Sequence, residues 1–143
     1  MNLKRFFMDT AYVLALLNQN DRFHEQAKAI FPKISVADEV CTTETVVIEI
    51  GNSLARSNRS LAVSFIKSLY STRNVNVLPV DSVLLHNAID FYHKRNDKEW
   101  GLTDCISFIV MEEQSLHNAL TSDEHFQQAG FRALLREDIT SIG

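Results

Sequence analysis

Four acidic residues lie where a carboxylate could do chemistry, namely Asp9, Glu49, Asp104 and Asp123. Asp9 and Asp123 each follow a short apolar run, Asp104 stands at the start of an apolar helical pattern, and Glu49 lies within another. Carboxylate oxygens are the ligands that Mg²⁺ and Mn²⁺ prefer, and acids gathered at one place repel one another without a cation. A site of this kind orients and deprotonates a water molecule for in-line attack on a phosphodiester. The pattern therefore predicts metal-assisted phosphodiester hydrolysis.

Glu49 is the acid that structural roles explain least well. It stands between Ile48 and Ile50 in a helical pattern, and no lysine or arginine lies three or four residues away on that helix. An ionised carboxylate in apolar surroundings is costly to desolvate unless a cation meets it. A bound divalent cation is the simplest partner. Two alternatives stay open, which are a narrow solvent-facing stripe and an ion pair with a distant arginine.

The other three acids each have a structural alternative. Asp9 could cap a helix that begins at Thr10. Asp104, in the first turn of its helix, would meet the helix dipole favourably, a contribution of about 0.3–1 kcal/mol. Asp123 lies within Thr121-Ser122-Asp123-Glu124, whose Thr-x-x-Glu spacing is also that of a capping box. None of the three is specific alone, so the prediction rests on all four acids meeting at one place.

Apolar runs typical of strands alternate along the chain with apolar patterns of helical period. Strands are predicted over 5–8, 39–42, 75–78, 118–121 and 131–134. Helices are predicted over 10–17, 21–33, 43–56, 60–71 and 102–114, with another after Asp81 and one helical turn between the last two strands. The alternation predicts one domain, 1–143, that forms a three-layer α/β/α sandwich around a mostly parallel sheet. Ligands of such folds bind beyond the carboxyl ends of the strands, where Asp9 and Asp123 stand.

Three of the predicted helices have apolar faces that indicate how they pack. The helix over 102–114 is apolar on most sides, which predicts a central position. The helix over 21–33 and the helix after Asp81 each show a single apolar face. These faces comprise Phe23, Ala27, Ile30 and Phe31 in the first, and Leu84, Leu85, Ala88, Ile89 and Tyr92 in the second.

Composition limits the class of protein without naming a function. The 143 residues are 45% hydrophobic and 22% charged, with 4 glycines and 2 prolines, which excludes a disordered or collagen-like chain and disfavours a many-stranded barrel. The net charge of −4 excludes a simple polycationic grip on nucleic acid. Cys41 and Cys105 form no C-x-x-C motif, as is usual in a reducing cytosol. The five histidines show no H-E-x-x-H spacing, so no metal role is predicted for them.

The beginning of the chain superficially resembles a signal peptide. Lys4 and Arg5 precede an apolar run over 6–17, but Asp9 interrupts that run and the polar residues 18–21 replace a cleavage site. No other apolar stretch approaches the roughly 18 residues that a membrane helix requires. We therefore expect a soluble, cytoplasmic protein that does not contact a membrane.

Four stretches of the chain resemble, in order, the four motifs of PIN-domain nucleases, and together they cover essentially its whole length. A longer block at 123–131 is especially similar to the C-terminal block of VapC-type toxins. The four stretches are Phe7-Met8-Asp9-Thr10, Ile48-Glu49-Ile50-Gly51-Asn52-Ser53-Leu54, Leu102-Thr103-Asp104-Cys105 and Leu120-Thr121-Ser122-Asp123-Glu124-His125-Phe126.

The resemblance implies a metal-dependent endoribonuclease that is the toxin half of a toxin–antitoxin pair. It implies a homodimer, an RNA substrate and a small antitoxin as partner. Thr10 and Thr121 become supporting hydroxyl groups at the same edge of the sheet. Phe108 stands where some members carry a further acid, which leaves one or two metals open. The acids implied to bind Mg²⁺ or Mn²⁺ and to catalyse are Asp9, Glu49, Asp104 and Asp123.

Candidate RNA contacts follow Glu49 along the chain. Asn52 and Arg56 would extend the same stripe of a helix that reaches residue 56, and Arg59 follows closely. A solvated helix end is an equally good explanation of Arg56. Trp100 could stack on a base, but the better prediction is that it anchors the helix over 102–114.

Rival functions explain fewer of the residues. A haloacid-dehalogenase-like phosphatase needs a second aspartate two residues after Asp9, where Ala11 stands, and a receiver domain receives a phosphoryl group instead of cutting a chain. Neither rival explains Glu49. The other alternative is a PIN-like scaffold that binds RNA or protein without cutting, and such a scaffold has no need to keep four acids.

Overall fold

The computed structural model describes residues 5–138, so the ends of the predicted domain, 1–4 and 139–143, lie outside the described residues. Within that range a five-stranded sheet is flanked by helices, and each strand pairs with its neighbours in parallel. The predicted α/β sandwich is thus confirmed. In spatial order the sheet reads β3-β2-β1-β4-β5. The strands are β1 (Arg5–Met8), β2 (Glu39–Thr43), β3 (Val75–Leu78), β4 (Asn118–Leu120) and β5 (Arg132–Ala133).

The helices of the described range alternate with the strands as the sequence predicts. Several begin at a side chain that caps them, including Thr43, Asn58 and Asp81, each of which accepts a hydrogen bond from an amide of the first turn. A short 3₁₀ turn over Leu134–Arg136 follows β5. The helices are α1 (Thr10–Leu17), α2 (His24–Ser35), α3 (Glu44–Ser53), α4 (Arg59–Ser71), α5 (Ser82–Lys94), α6 (Leu102–Glu113) and α7 (Glu124–Gln128).

The core lies around β1 and α6. Phe6 and Phe7 of β1 are fully buried, as expected for a strand in the middle of a parallel sheet. Along α6, Phe108 and Met111 are buried among the strands and helices, which confirms its central position. Each such side chain contributes roughly 1.5–3 kcal/mol of hydrophobic free energy to folding.

Two predicted helices differ from the observed helices in their bounds, and local residues explain the later start of one and the earlier end of the other. The second helix begins at His24, not at residue 21, because the Asp21 carboxylate accepts the amide of Phe23 at 2.8 Å and closes a turn there. The third helix ends at Ser53 because its last turn consists of Gly51, Asn52 and Ser53, which have low helix propensity. Its predicted extension to residue 56 is wrong.

Some predicted apolar faces are only partly buried. On α5, Ala88 is buried, whereas Leu85, Ile89 and Tyr92 are 37%, 43% and 50% exposed. Phe31 of α2 is likewise 45% exposed. Helical periodicity shows which residues share a face. How much of that face is buried depends on how much of it the neighbouring helices and strands cover.

The strand order places the predicted acids. From β1 the chain continues to β2 and β3 on one side of the sheet, while β4 and β5 lie on the other side. The β1–β4 boundary is therefore the topological switch point, beyond whose carboxyl end such folds bind ligands. Asp9 follows β1 and Asp123 lies beyond the end of β4. In residues 5–138 no helix has the length and apolar character needed to cross a bilayer.

Candidate active site

Asp9 is a buried carboxylate at the switch point. Its side chain is in a residue only 7% exposed, and its Oδ2 accepts a hydrogen bond from the hydroxyl of Thr121 at 2.7 Å. Asp9 occupies the position before α1, but its side chain makes no capping hydrogen bond to that helix. The capping alternative for Asp9 is therefore wrong, and its carboxylate is directed to the end of β4 instead.

Asp104 and Asp123 meet at the same edge of the sheet, together with a histidine. The Nδ1 atom of His125 lies 3.0 Å from Oδ2 of Asp104 and 3.5 Å from Oδ1 of Asp123. One ligand atom from each of the three residues lies within 4.8 Å of the others, and their side chains are only partly exposed. This is a group of side chains that could hold a metal ion.

The structural alternatives for Asp104 and Asp123 coexist with this cluster. Asp104 accepts the amide of Gly101 at 3.0 Å and so closes the first turn of α6. Asp123 caps α7 by accepting the amide of His125 at 2.9 Å. The predicted capping box with Thr121 at its start is wrong, because the Thr121 hydroxyl accepts the amide of Asp123 at 3.0 Å and donates to Asp9. These bonds set the orientation of the carboxylates.

Glu49 faces the same part of the molecule from α3. Its Oε1 accepts the hydroxyl of Thr10 at 2.7 Å, and Thr10 is the residue that follows Asp9. Among the ion pairs of residues 5–138, none involves Glu49, so the distant-arginine alternative finds no support there. The buried residues Thr10 and Thr121 thus each donate a hydroxyl hydrogen bond to one of the acids. Thr10 donates to Glu49, and Thr121 donates to Asp9.

The electrostatics of the site link Asp9 to Asp104 and Asp123. The pKa of Asp9 is raised to about 7, chiefly by burial, with smaller upward contributions from the charges of Asp104 and Asp123, while the hydrogen bonds from Thr121 and Thr10 oppose the shift. Partial burial lowers the pKa of His125, but the bond to Asp104 and the nearby carboxylate charges outweigh burial, so the net shift is upward. Both shifts keep protons in a site crowded with negative charge.

The donor set fits a hard divalent cation. The carboxylates of Asp104 and Asp123 and the imidazole of His125 lie within reach of one ion. Burial of Asp9 and the charges of Asp104 and Asp123 disfavour the ionised form of Asp9. A cation would relieve that opposition, and oxygen-rich sites of this kind suit Mg²⁺ or Mn²⁺. Glu49 reaches the same edge through Thr10. The assignment of all four acids as ligands and catalytic groups stays a prediction.

His125 is the site residue that sequence reasoning missed. We expected no metal role for the histidines because none has the spacing of a known histidine motif. The sequence held one indication of its role, which is that His125 follows Asp123 by two residues. When an acid caps a helix, the residues of the first turn lie next to its carboxylate. The sequence does not show that Asp104 would approach the same ring.

The candidate RNA contacts lie around the end of α3 and the start of α4. Asn52 is exposed on α3, whereas Arg56 lies beyond the end of that helix and Arg59 is the first residue of α4. The idea that Arg56 extends the helical stripe of Glu49 is therefore wrong, and contact of these residues with RNA stays a prediction. Trp100 is 5% exposed and packs against Phe108 at a centroid distance of 5.0 Å, which confirms that it anchors α6.

The sequence of the chain matches that of a known family. A family model described as PIN domain matches residues 6–132. The chain belongs to the PIN domain family. The predicted resemblance is confirmed, and the acids of this PIN domain lie at the edge of the sheet where the topology places a ligand site.

Two proteins illustrate what this PIN domain is similar to. A Mycobacterium tuberculosis protein described as 23S rRNA-specific endonuclease VapC20 is 29% identical over 125 residues, which are 87% of this chain and 94% of the relative. Its crystal structure, described as that of a sarcin-ricin loop cleaving toxin, has a TM-score of 0.79 at 28% identity and covers 89% of this chain and 96% of the other. The structure of FitAcB from Neisseria gonorrhoeae shares the fold with a TM-score of 0.60 at 18% identity, over 89% of this chain and 96% of the other.

The raised pKa of Asp9 predicts an unusual pH dependence of stability in the metal-free PIN domain. The folded-state pKa of about 7 exceeds the ordinary value of 3.8, so the folded protein holds a proton that the unfolded chain releases. Stability is therefore fully present at low pH and is lost as pH rises toward 7. In EDTA we expect the melting temperature to fall between pH 5 and 7 in the wild type, and to fall less in Asp9→Asn. Equal slopes for the two proteins would contradict the buried, protonated Asp9.

Proposed function

We propose that the protein is a metal-dependent endoribonuclease that hydrolyses RNA phosphodiester bonds, and that it is the toxin component of a VapBC-type toxin–antitoxin pair. The observation that carries the proposal is the group formed by Asp104, Asp123 and His125, with Asp9 bonded to Thr121, at the switch point of a PIN domain. The similar protein described as a 23S rRNA-specific endonuclease supports RNA as the substrate. We assign the activity to one nuclease domain over 1–143, acting in the cytoplasm where its RNA is found.

The side chains divide the work of the proposed reaction. A bound Mg²⁺ or Mn²⁺ supplies Lewis-acid chemistry, which activates water and neutralises charge on the phosphodiester. Asp104, Asp123 and Asp9 would hold the ion, with His125 beside them. The hydroxyl of Thr121 fixes one oxygen of Asp9, so that this carboxylate keeps its orientation when RNA enters.

Two further groups complete the proposed machinery. The Thr10 hydroxyl orients Glu49, whose carboxylate adds negative charge at the same edge. That carboxylate would accept a proton, or a hydrogen bond from a water molecule. The Nδ1 atom of His125 faces Asp104 Oδ2, so a proton at that atom lies between two of the site's acids. These groups act by orientation and charge and need no movement of the backbone.

Protein partners are part of the proposal. The resemblance to VapC-type toxins implies a homodimer and a small antitoxin, and an exposed apolar surface supports a partner of this kind. A groove between α3, α4, α5 and α6 is lined in part by Ile48, Tyr70 and Leu85, which are 61%, 60% and 37% exposed. Exposed apolar side chains grouped in this way are typical of protein–protein contact surfaces.

A cleavage assay tests the proposed function. Purified protein is incubated with Mn²⁺ and end-labelled 23S rRNA, and with single-stranded DNA of the same sequence as the control. We expect cleavage of the RNA at defined positions and none of the DNA, because the related endonuclease acts on 23S rRNA. Failure of the wild type to cut 23S rRNA, total cellular RNA or synthetic stem-loops would leave the scaffold alternative as the better explanation.

A further inference from the structure

Two arginines lie over the ring of Phe23. The guanidinium carbon of Arg22 is 5.0 Å from the ring centroid, and that of Arg136 is 6.0 Å from it. Both arginines are exposed and the ring is half-buried. We call these three residues the Arg22–Phe23–Arg136 cluster. It combines two exposed positive charges with an aromatic ring that packs against the core and supports them, and it was not among the sequence-based candidates.

The cluster is fastened to the candidate active site. Nε of Arg136 donates a hydrogen bond to the carbonyl oxygen of Ser122 at 2.5 Å, and that carbonyl belongs to the peptide group that joins Ser122 to Asp123. The preceding residue, Thr121, donates to Asp9. The guanidinium of Arg136 therefore lies within one peptide group of an acid of the site.

Local hydrogen bonds hold the cluster in place. The turn closed by Asp21 at the amide of Phe23 sets the position of the ring. On the other side, the amide of Leu135 donates to the carbonyl of Thr121 at 3.1 Å and so ties the residue before Arg136 to the end of β4. The bond to Ser122 uses one of the five N–H donors of the Arg136 guanidinium. These bonds fix the backbone at Phe23 and the guanidinium of Arg136.

The positive charge of the two arginines suits the cluster to bind RNA. RNA is a polyanion, and it must bring a phosphate to a site whose own groups are Asp9, Glu49, Asp104 and Asp123 in a chain of net charge −4. Cations beside that site offset the repulsion. Aromatic rings and guanidinium planes are also the surfaces on which unpaired RNA bases stack.

We propose that the Arg22–Phe23–Arg136 cluster is an RNA subsite beside the active site, in which Phe23 supports the two guanidinium groups and the arginines contact the nucleotides that flank the scissile phosphate. The inference rests on the proposed endoribonuclease activity and deepens it. The cluster determines where the strand lies and takes no part in bond cleavage. Its loss should therefore act on substrate affinity.

Steady-state kinetics on a single-stranded RNA that the wild type cuts test the subsite. The variants are Arg22→Gln, the double variant Arg22→Gln/Arg136→Gln, and Phe23→Leu, which keeps apolar packing and removes the ring. The matched control is Arg73→Gln, because Arg73 is exposed just before β3, at the opposite end of the strands. Melting temperatures with and without Mn²⁺ report on folding and on the metal site.

We expect the double variant to raise KM at least about tenfold with kcat within about twofold of the wild type, because affinity and not chemistry is lost. The slope of log kcat/KM against log salt should fall by about 1.4, the value for two lost phosphate contacts on a single strand. Phe23→Leu should raise KM at least about fivefold, because the two guanidinium groups lose the ring that supports them. Arg22→Gln alone, which leaves the bond to Ser122 intact, should raise KM by a smaller factor, and Arg73→Gln should match the wild type.

Three outcomes would overturn the subsite. Variants that match the wild type in KM and salt dependence, while the wild type cuts RNA, would contradict the subsite and leave the proposed function standing. A fall in kcat at constant KM, or loss of the Mn²⁺-induced rise in melting temperature, would show that Arg136 only positions Asp123. Unchanged RNA kinetics together with weaker binding of an antitoxin would assign the cluster to a protein partner. A wild type that cuts no RNA would instead overturn the proposed function on which the subsite rests.

Discussion

We expect that replacing Asp9 or Asp104 by asparagine lowers RNA cleavage by at least about 100-fold and leaves the fold intact. Each change removes a carboxyl group that could bind the ion and keeps the shape of the side chain. For Asp9 the asparagine oxygen can still accept the Thr121 hydroxyl, and the repulsion from Asp104 and Asp123 disappears. The metal-free Asp9→Asn protein should therefore melt at or above the temperature of the wild type near pH 7.

The measurement is the initial cleavage rate of labelled RNA with Mn²⁺, alongside thermal melting of each protein. Asp38→Asn is the matched control, because Asp38 is an exposed acid directly before β2, at the amino-terminal end of the strands and away from the site. Its rate should equal that of the wild type. If Asp9→Asn and Asp104→Asn both cut as fast as Asp38→Asn, the proposed centre is in the wrong place.

Removal of divalent cations should have the second large effect. With EDTA we expect cleavage to stop, and added Mn²⁺ should restore it, since the proposed mechanism needs a bound cation as Lewis acid. The melting temperature should rise with Mn²⁺, because an ion that binds only the folded protein stabilises it by about 2.7 kcal/mol at 100 times its Kd. For a domain of this size that corresponds to roughly 5–10 °C.

The matched control for metal binding is the Asp104→Asn protein, in which one of the three clustered side chains that could bind the ion is altered. Its melting temperature should respond to Mn²⁺ much less than that of the wild type. The Asp38→Asn protein should respond fully, since its changed residue precedes β2 at the far end of the strands. Cleavage that persists in EDTA, or an equal Mn²⁺ response in all three proteins, would argue against a metal-dependent mechanism.

The site also shows why structural and chemical uses of one acid need not exclude each other. Asp123 caps α7 and at the same time directs an oxygen toward His125. Asp104 closes the first turn of α6 and bonds the same imidazole. In both cases a helix cap orients the carboxylate, which a metal site requires of its ligands. A capping role for Asp104 or Asp123 therefore does not exclude metal binding by the same carboxylate.

Much of the fold could be predicted because it depends on local sequence. Apolar runs and helical periods predicted β1, α1 and β3 with the bounds that the structure has. Alternation of strands and helices predicted the parallel sheet, since parallel neighbours need a crossover between them. The bounds of α3 and the exposure of Leu85 on α5 were not predictable in this way. The end of α3 depends on residues of low helix propensity, and the exposure of Leu85 depends on how much of α5 its neighbouring elements cover.

What the sequence by itself determined is which acids stand at strand ends and helix starts, because residue type and period are properties of the chain. Only the tertiary structure decided that the Thr121 hydroxyl bonds Asp9, that Thr10 bonds Glu49, and that His125 lies between Asp104 and Asp123. It also decided that Arg136 lies beside Phe23 at the edge of the same site. These contacts join segments far apart in the chain, and their geometry is set by how the strands order themselves around β1, which no local pattern encodes.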